Sequence, residues 1–140
     1  MADKFVYNKP YVVKWASERI PGDGAFPLNS PCIGVERNGE LVAAVVFSDF
    51  RGCSCCISVA GVGKRWLSKR LLREAFSYPF ISLELNRVGG LARADNLPAQ
   101  NFIEHIGFKK EGVIRRGDDD GCDLIMYGML KGECRWIGIQ

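Results

Sequence analysis

The sequence has only one histidine, and its six cysteines do not form two metal-binding pairs. Structural zinc sites usually combine two Cys-x2-4-Cys or His-x3-5-His pairs. Three of the cysteines are close together and the other three are dispersed: Cys53, Cys55 and Cys56, then Cys32, Cys122 and Cys134. We therefore expect no metal, and we interpret the cysteines as buried, reduced thiols that pack like small apolar side chains.

Long apolar runs are also missing. No stretch approaches the ~20 apolar residues that cross a bilayer, and "MADKFVYNKPYVV" has no long apolar segment of the kind found in a secretory signal. These absences predict a cytoplasmic protein without a membrane partner. With 140 residues, of which 47% are apolar, the chain is expected to form a single domain over residues 1–140.

No charge of one sign dominates the sequence. The 19 basic and 16 acidic residues leave a formal net charge of +3, and the only basic cluster runs from Lys64 to Arg73. Such a mild excess does not by itself indicate a nucleic-acid partner.

Periodicity and turn residues predict an α+β domain. Helices are expected at 8–19, 64–80 and 97–106, the first ending at Pro21-Gly22 and the last at Gly107. Asn38-Gly39 predicts a hairpin, and "CSCCISVAG" should add a third antiparallel strand. "NRVGGLARA", "FKKEGVIRR" and "CDLIMYGML" are the later strands, the last two joined by the turn "GDDDG".

One segment carries a recognisable motif. Its residues are Asn96, Ala99, Glu104, Gly107, Phe108, Glu111, Gly112 and Arg115. This spacing resembles the "N-x-x-A…E-x-x-G-F-x-x-E-G-x-x-R" segment of GCN5-related N-acetyltransferases. "YPF" and "ECRW" resemble small phage or prophage members, which would place the protein in the host cytoplasm if it is phage-encoded. The resemblance implies an α/β/α arrangement of three layers, with about four helices and a mixed, mostly antiparallel sheet in which two strands splay apart.

The resemblance also implies that acetyl-CoA is bound as a cosubstrate between the splayed strands. Its pantetheine arm would pair with Ile57, Ser58 and Val59, and its diphosphate would lie at the N-terminus of the next helix, where free N–H groups bind anions. The remaining residues implied to bind the coenzyme are Gly63, Lys64, Arg65, Trp66, Leu67, Ser68, Lys69 and Asn96.

The chain departs from the family pattern at two positions. Trp66 stands where the diphosphate loop usually has a glycine, so the indole should narrow or reshape that loop. Ile103 stands where many members have the tyrosine that protonates the departing thiolate. A thiolate leaves without such help, so the change predicts a slower reaction rather than none.

No general base is evident in the sequence. Three residues are candidates for proton transfer: Cys56, Glu84 and Tyr127. Each also has an ordinary structural explanation, as a core thiol, a surface charge and a half-buried strand aromatic. His105 lies on a different helix face from Ile103 and is a weaker candidate.

Three functions remain open at this point. The first is an N-acetyltransferase that acts on an unknown amine and could form a homodimer. The second is a domain of the same fold that binds CoA or a protein partner without catalysis, an alternative suggested by Ile103 and Trp66. The third is a nucleic-acid-binding module, which rests only on the basic cluster and the pI of about 8.6.

Overall fold

The computed structural model describes residues 3–20, 26–63 and 65–138, which form a seven-stranded mixed sheet and three α-helices. The strands are β1 (Lys4–Tyr7), β2 (Cys32–Arg37), β3 (Glu40–Arg51), β4 (Ser54–Gly61), β5 (Arg87–Arg93), β6 (Lys109–Ile114) and β7 (Leu124–Leu130). The helices are α1 (Pro10–Ser17), α2 (Lys69–Ser77) and α3 (Leu97–Ile106). A π-helical turn at Tyr78–Ser82 and a 3-10 turn at Lys131–Glu133 complete the helical elements of the described chain. The predicted α+β fold is confirmed, with three helices rather than about four.

The hairpin between β2 and β3 forms at the predicted residues. Asn38 and Gly39 both have positive φ, 55° and 81°, the backbone that a two-residue turn of this kind requires. β4 follows antiparallel to β3, which gives the expected run of three antiparallel strands.

The sheet order is β1-β2-β3-β4-β5-β7-β6, and the parallel pair β4–β5 lies near its centre. Their ladder contains Ser54–Arg87, Cys55–Val88 and Cys56–Gly89. Beyond Cys56–Gly89, the described residues of these two strands no longer pair, although β4 stays paired with β3 as far as Gly61. The predicted splayed pair is therefore present.

Helices cover both faces of the sheet. On one face, Val12, Val13 and Ala16 of α1 pack on Ala44 and Val46. On the other, α2 and α3 pack on strand residues of the opposite parity, in a larger core that includes Phe47, Val88 and Tyr127. This gives the expected three layers.

The predicted secondary structure was wrong in two places. The sequence analysis did not predict β1, which ends just before Asn8, where the backbone turns with a φ of 55° ahead of α1. The second helix begins at Lys69 instead of residue 64, because Arg65 has a φ of 64° and Ser68 caps the helix. The predicted end of the first helix at Pro21-Gly22 lies outside the described residues.

The thiols are less buried than predicted. Cys32 and Cys55 are buried, but Cys53 is exposed and Cys56, Cys122 and Cys134 are partly exposed; all six are free. Within the described ranges, no helix is long and apolar enough to span a membrane. In the same part of the chain, no group of three or more His, Cys, Asp or Glu side chains is arranged to hold a metal ion.

Candidate active site

A cavity of about 970 Å³ opens where β4 and β5 separate. Ile57 to Val62 line it from β4 and the residue that follows, and Gly90 to Arg93 line it from β5. Because the ladder stops at Cys56–Gly89, main-chain groups on the facing edges of both strands are available to a ligand. The splay thus produces a deep groove with hydrogen-bonding walls.

The two sides of this cavity differ in chemistry. Towards α2 and α3 the lining is apolar and includes Leu72, Phe102 and Ile103. On the α1 side the lining includes Ser48, Asp49, Cys56, Ser58 and Arg19. An extended ligand between the strands would therefore have an apolar wall on one side and polar groups on the other.

The open end of the cavity lies beside the N-terminus of α2. The Ser68 hydroxyl accepts a hydrogen bond from the Leu71 N–H at 3.0 Å and so caps this helix. The loop before it is held by Arg37, which donates to the Arg65 carbonyl at 3.0 Å and pairs with Asp3 at 2.9 Å. This anchors the loop to β2 and leaves the first turn of α2 facing the end of the groove.

Trp66 lies across that end of the groove. A Cβ added at Gly61 would overlap the indole ring, and the Trp66 ring centroid is 6.0 Å from that of Phe102 on α3. The indole therefore reaches from the last residue of β4 to α3. Whether it reshapes a diphosphate loop, as its position in the motif predicts, stays a prediction.

The structure places the residues predicted to bind coenzyme in two groups. Five of them line the cavity: Ile57, Ser58, Val59, Leu67 and Asn96. Five lie in the adjoining loop or at the helix start without lining the cavity: Gly63, Arg65, Trp66, Ser68 and Lys69. Lys64 lies outside the described residues. Ile103, at the position of the usual acid, also faces the cavity.

Asn96 has a structural role as well. Its side-chain oxygen accepts from the Ala99 N–H at 3.1 Å and caps α3. Gly107, with a φ of 122°, ends the same helix, and the Glu104 carboxylate accepts from the Tyr127 hydroxyl at 2.7 Å. Much of the family motif therefore builds α3 and attaches it to β7.

Two catalytic candidates are not brought to the cavity. Tyr127 is 1% exposed and its hydroxyl is directed at Glu104. Burial, assisted by that hydrogen bond, raises the pKa of Tyr127 to about 12. Glu84 is exposed just before β5, at the end of the strand opposite the splay. Of the three candidates, only Cys56 lines the cavity.

Sequence reasoning missed Asp49. This residue lies in a register shift between Ser48 and Arg51, has a φ of 51° and lines the cavity. Burial raises the pKa of the Cys56 thiol, and the negative charge of the nearby Asp49 raises it further. The bulge depends on how β3 pairs with β4, so no local sequence signal predicts it.

Comparison with known proteins points to acetyltransferases. No family model matches the chain. The Bacillus subtilis (strain 168) protein named "Putative ribosomal N-acetyltransferase YdaF" is 39% identical over 69 residues, which are 47% of this chain and 37% of that protein. An uncharacterized N-acetyltransferase, p20 of Bacillus licheniformis, is 30% identical over 51% of this chain and 41% of its own length. The chain thus spans about two fifths of the length of the curated relatives it matches.

Several solved structures share the fold. A probable acetyltransferase is 26% identical, with a TM-score of 0.64 over 73% of this chain and 61% of its own. An acetyltransferase of the GNAT family from Bacillus anthracis has a TM-score of 0.70 over 95% of this chain and 97% of its own, at 17% identity. Mycobacterium smegmatis RimJ, solved with CoA-disulfide, has a TM-score of 0.69 over 95% of this chain and 84% of its own, at 15% identity. At such low identity, the last two matches show the fold alone.

Proposed function

Because the chain belongs to the GCN5-related N-acetyltransferase superfamily, we propose that it is an acyltransferase that moves an acetyl group from acetyl-CoA to an amine. The observation that carries this proposal is the end of the β4–β5 ladder at Cys56–Gly89. The groove that begins there combines unpaired strand edges, an apolar wall and the N-terminus of a helix. A coenzyme with an amide-bearing arm and a diphosphate matches these three features.

The groove is long enough to hold an extended ligand. From Gly61 back to Cys56 the strand spans five residues, or roughly 16 Å at the usual rise of a β-strand. With the diphosphate at the start of α2, the pantetheine amides would pair with Ile57 to Val59. The thioester would then lie near Cys56, where the two strands meet.

The reaction would be direct attack of a neutral amine on the thioester. The amine would approach from the polar α1 side, since the opposite side is filled by apolar side chains of α2 and α3. Ile103 supplies no proton to the departing thiolate. We therefore expect transfer without an enzyme acid for sulfur, since a thiolate is a fair leaving group.

A pair of glycine substitutions tests the location of the coenzyme. A Cβ at Gly90 would meet only the Ile57 carbonyl oxygen, at 3.9 Å, so Gly90→Leu should place its side chain in the groove without disturbing the backbone. Gly112 lies outside the cavity and also has room for a Cβ, which makes Gly112→Leu the matched control. Titration calorimetry with CoA should show binding to the wild type and the control, and none to Gly90→Leu.

Turnover tests the reaction itself. Acetyl-CoA is incubated with a diamine, a peptide with a free N-terminus and a lysine-containing peptide, and free CoA and acetylated product are separated chromatographically. A thiol reagent is unsuitable because exposed Cys53 would consume it. Absence of CoA binding at millimolar concentration would reject the proposal.

The second candidate function is a CoA-binding domain without catalysis. Two observations favour it: Ile103 faces the cavity where an acid is usual, and Trp66 lies across the end of the groove. CoA binding that Gly90→Leu abolishes, together with no acetylated product from any amine, would support this alternative over the enzyme.

A further inference from the structure

Few groups in the cavity can take a proton from an attacking amine. Among the described residues, the titratable groups of the lining are Arg19, Asp49, Cys56, Arg93, Asp118 and Asp119. The two guanidinium groups are already protonated and cannot serve. The pKa of the Cys56 thiol is raised by burial and by its neighbour Asp49, so at neutral pH it also holds its proton. This leaves the three carboxylates.

Two of these carboxylates lie at the open end of the groove. Asp118 accepts a hydrogen bond from the Arg93 guanidinium at 2.7 Å. Asp119 is the next residue, in the turn before β7. Arg93 is the last residue of β5, four residues or roughly 13 Å along the strand from Gly89. Asp118 and Asp119 therefore lie beside the expected diphosphate end and far from the thioester.

Asp49 lies at the other end, near the place where β4 and β5 meet. Ser48 pairs with Cys56, and Cys56 pairs with Gly89 in the last rung before the strands separate. The register shift after Ser48 places Asp49 in the lining of the cavity, near the Cys56 thiol, whose pKa its charge raises. Its φ of 51° belongs to the turn within the register shift, a backbone conformation that aspartate adopts more readily than most residues with a side chain.

We propose that Asp49 accepts the proton of the attacking amine, a role that rests on the proposed acetyltransferase function. The amine lone pair forms a bond to the acetyl carbon, and the nitrogen, now positively charged, gives its proton to an Asp49 oxygen. The C–S bond breaks with its electron pair on sulfur, so CoA leaves as the thiolate. Asp49 is exposed and returns its proton to solvent.

The substitution Asp49→Asn tests this role. Asparagine tolerates positive φ, so the bulge should be kept while the basic oxygen is lost. We expect kcat to fall by about 100-fold, the low end of the usual contribution of a general base, with the Kd for acetyl-CoA changed by less than about twofold. The matched control is Glu40→Gln, another exposed acid of β3, which lies outside the cavity. It should keep wild-type kcat.

Alkylation of Cys56 provides a readout independent of turnover. Besides Asp49, the charges acting on this thiol are Arg51 and Arg87, which lower its pKa. Removing the Asp49 charge should lower the pKa further, so Cys56 should react faster with iodoacetamide at pH 8 in Asp49→Asn. Peptide mass spectrometry separates this site from exposed Cys53.

The outcomes separate the two proposals. Acetyl transfer by Asp49→Asn at the wild-type rate would overturn the role of Asp49 and leave the enzyme function standing. Loss of acetyl-CoA binding together with turnover would also overturn it, since the residue would then be structural. No transfer by the wild type to any amine would instead reject the proposed function.

Discussion

The absence of a side chain at Gly61 gives Trp66 its place at the end of the groove. The indole lies against the glycine backbone and contacts Phe102, so it bridges β4 and α3. A glycine at position 66, which the family motif usually has, would leave this space open at the end where we propose the diphosphate binds. Positions 61 and 66 therefore depend on each other, because the missing side chain of Gly61 makes room for the indole of Trp66.

Gly61→Ala should reveal this dependence. The added methyl overlaps the indole, and such overpacking typically costs about 1–3 kcal/mol of unfolding free energy. In the background Trp66→Ala the same change should cost almost nothing, because the overlapping ring is gone. Urea unfolding of the four proteins in a double-mutant cycle measures the coupling. An equal cost in both backgrounds would show that the indole does not rest on Gly61.

Single residues were predicted unevenly. Asn96, Gly107 and the family motif are local signals, and their spacing was enough to place α3 and its caps. The catalytic candidates Glu84 and Tyr127 were chosen by position alone. Glu84 lies before β5 at the end away from the splay, and the Tyr127 hydroxyl is directed at Glu104, so neither lines the cavity. The place of Asp49 in the cavity could not be predicted from the sequence, because it follows from the pairing between β3 and β4.

At the scale of the element, the start of α2 depends on Ser68. The apolar stripe of the sequence continues backward through Leu67 and Trp66, which is why periodicity predicts a longer helix. The backbone instead turns at Arg65, whose φ is 64°, and the helix begins at the cap. Similarly, β1 has only four residues and depends on pairing with β2, so its own composition does not specify it.

Substitutions at the cap should separate its hydrogen bond from backbone effects. Ser68→Ala removes the acceptor for the Leu71 N–H and should cost about 1 kcal/mol of unfolding free energy. Ser68→Gly should cost only a few tenths of that, since glycine is tolerated at an N-cap. Equilibrium denaturation in urea measures both. Equal stabilities for Ser68→Ala and the wild type would mean that solvent replaces the cap.

At the scale of the whole molecule, buried thiols and phenols make stability sensitive to alkaline pH. Burial, with a smaller effect of Cys56, raises the pKa of Cys55 from its ordinary 9.0 to about 12. Above pH 9 the unfolded thiol loses its proton while the folded one keeps it. The contribution of Cys55 to the unfolding free energy is therefore fully present below pH 9 and is lost as the pH rises towards 12.

Cys55→Ala should make the unfolding free energy decrease less steeply with rising pH. Each group of this kind contributes about 1.4 kcal/mol per pH unit within its window. Between pH 9 and 10, the unfolding free energy of the wild type should decrease faster than that of Cys55→Ala, measured with a reductant present. The slope should not vanish, because burial also raises the pKa values of Cys32, Cys56 and Cys134. Parallel curves for the two proteins would contradict the expectation.

The sheet consists of a four-stranded half, β1 to β4, and a three-stranded half, β5 to β7. Among the described residues, the two halves are joined by three residue pairs between β4 and β5. If acetyl-CoA binds lengthwise in the groove as proposed, it would join the two halves of the sheet where strand pairing is missing and act as a splint. Binding would then make the sheet more rigid, in addition to positioning the thioester.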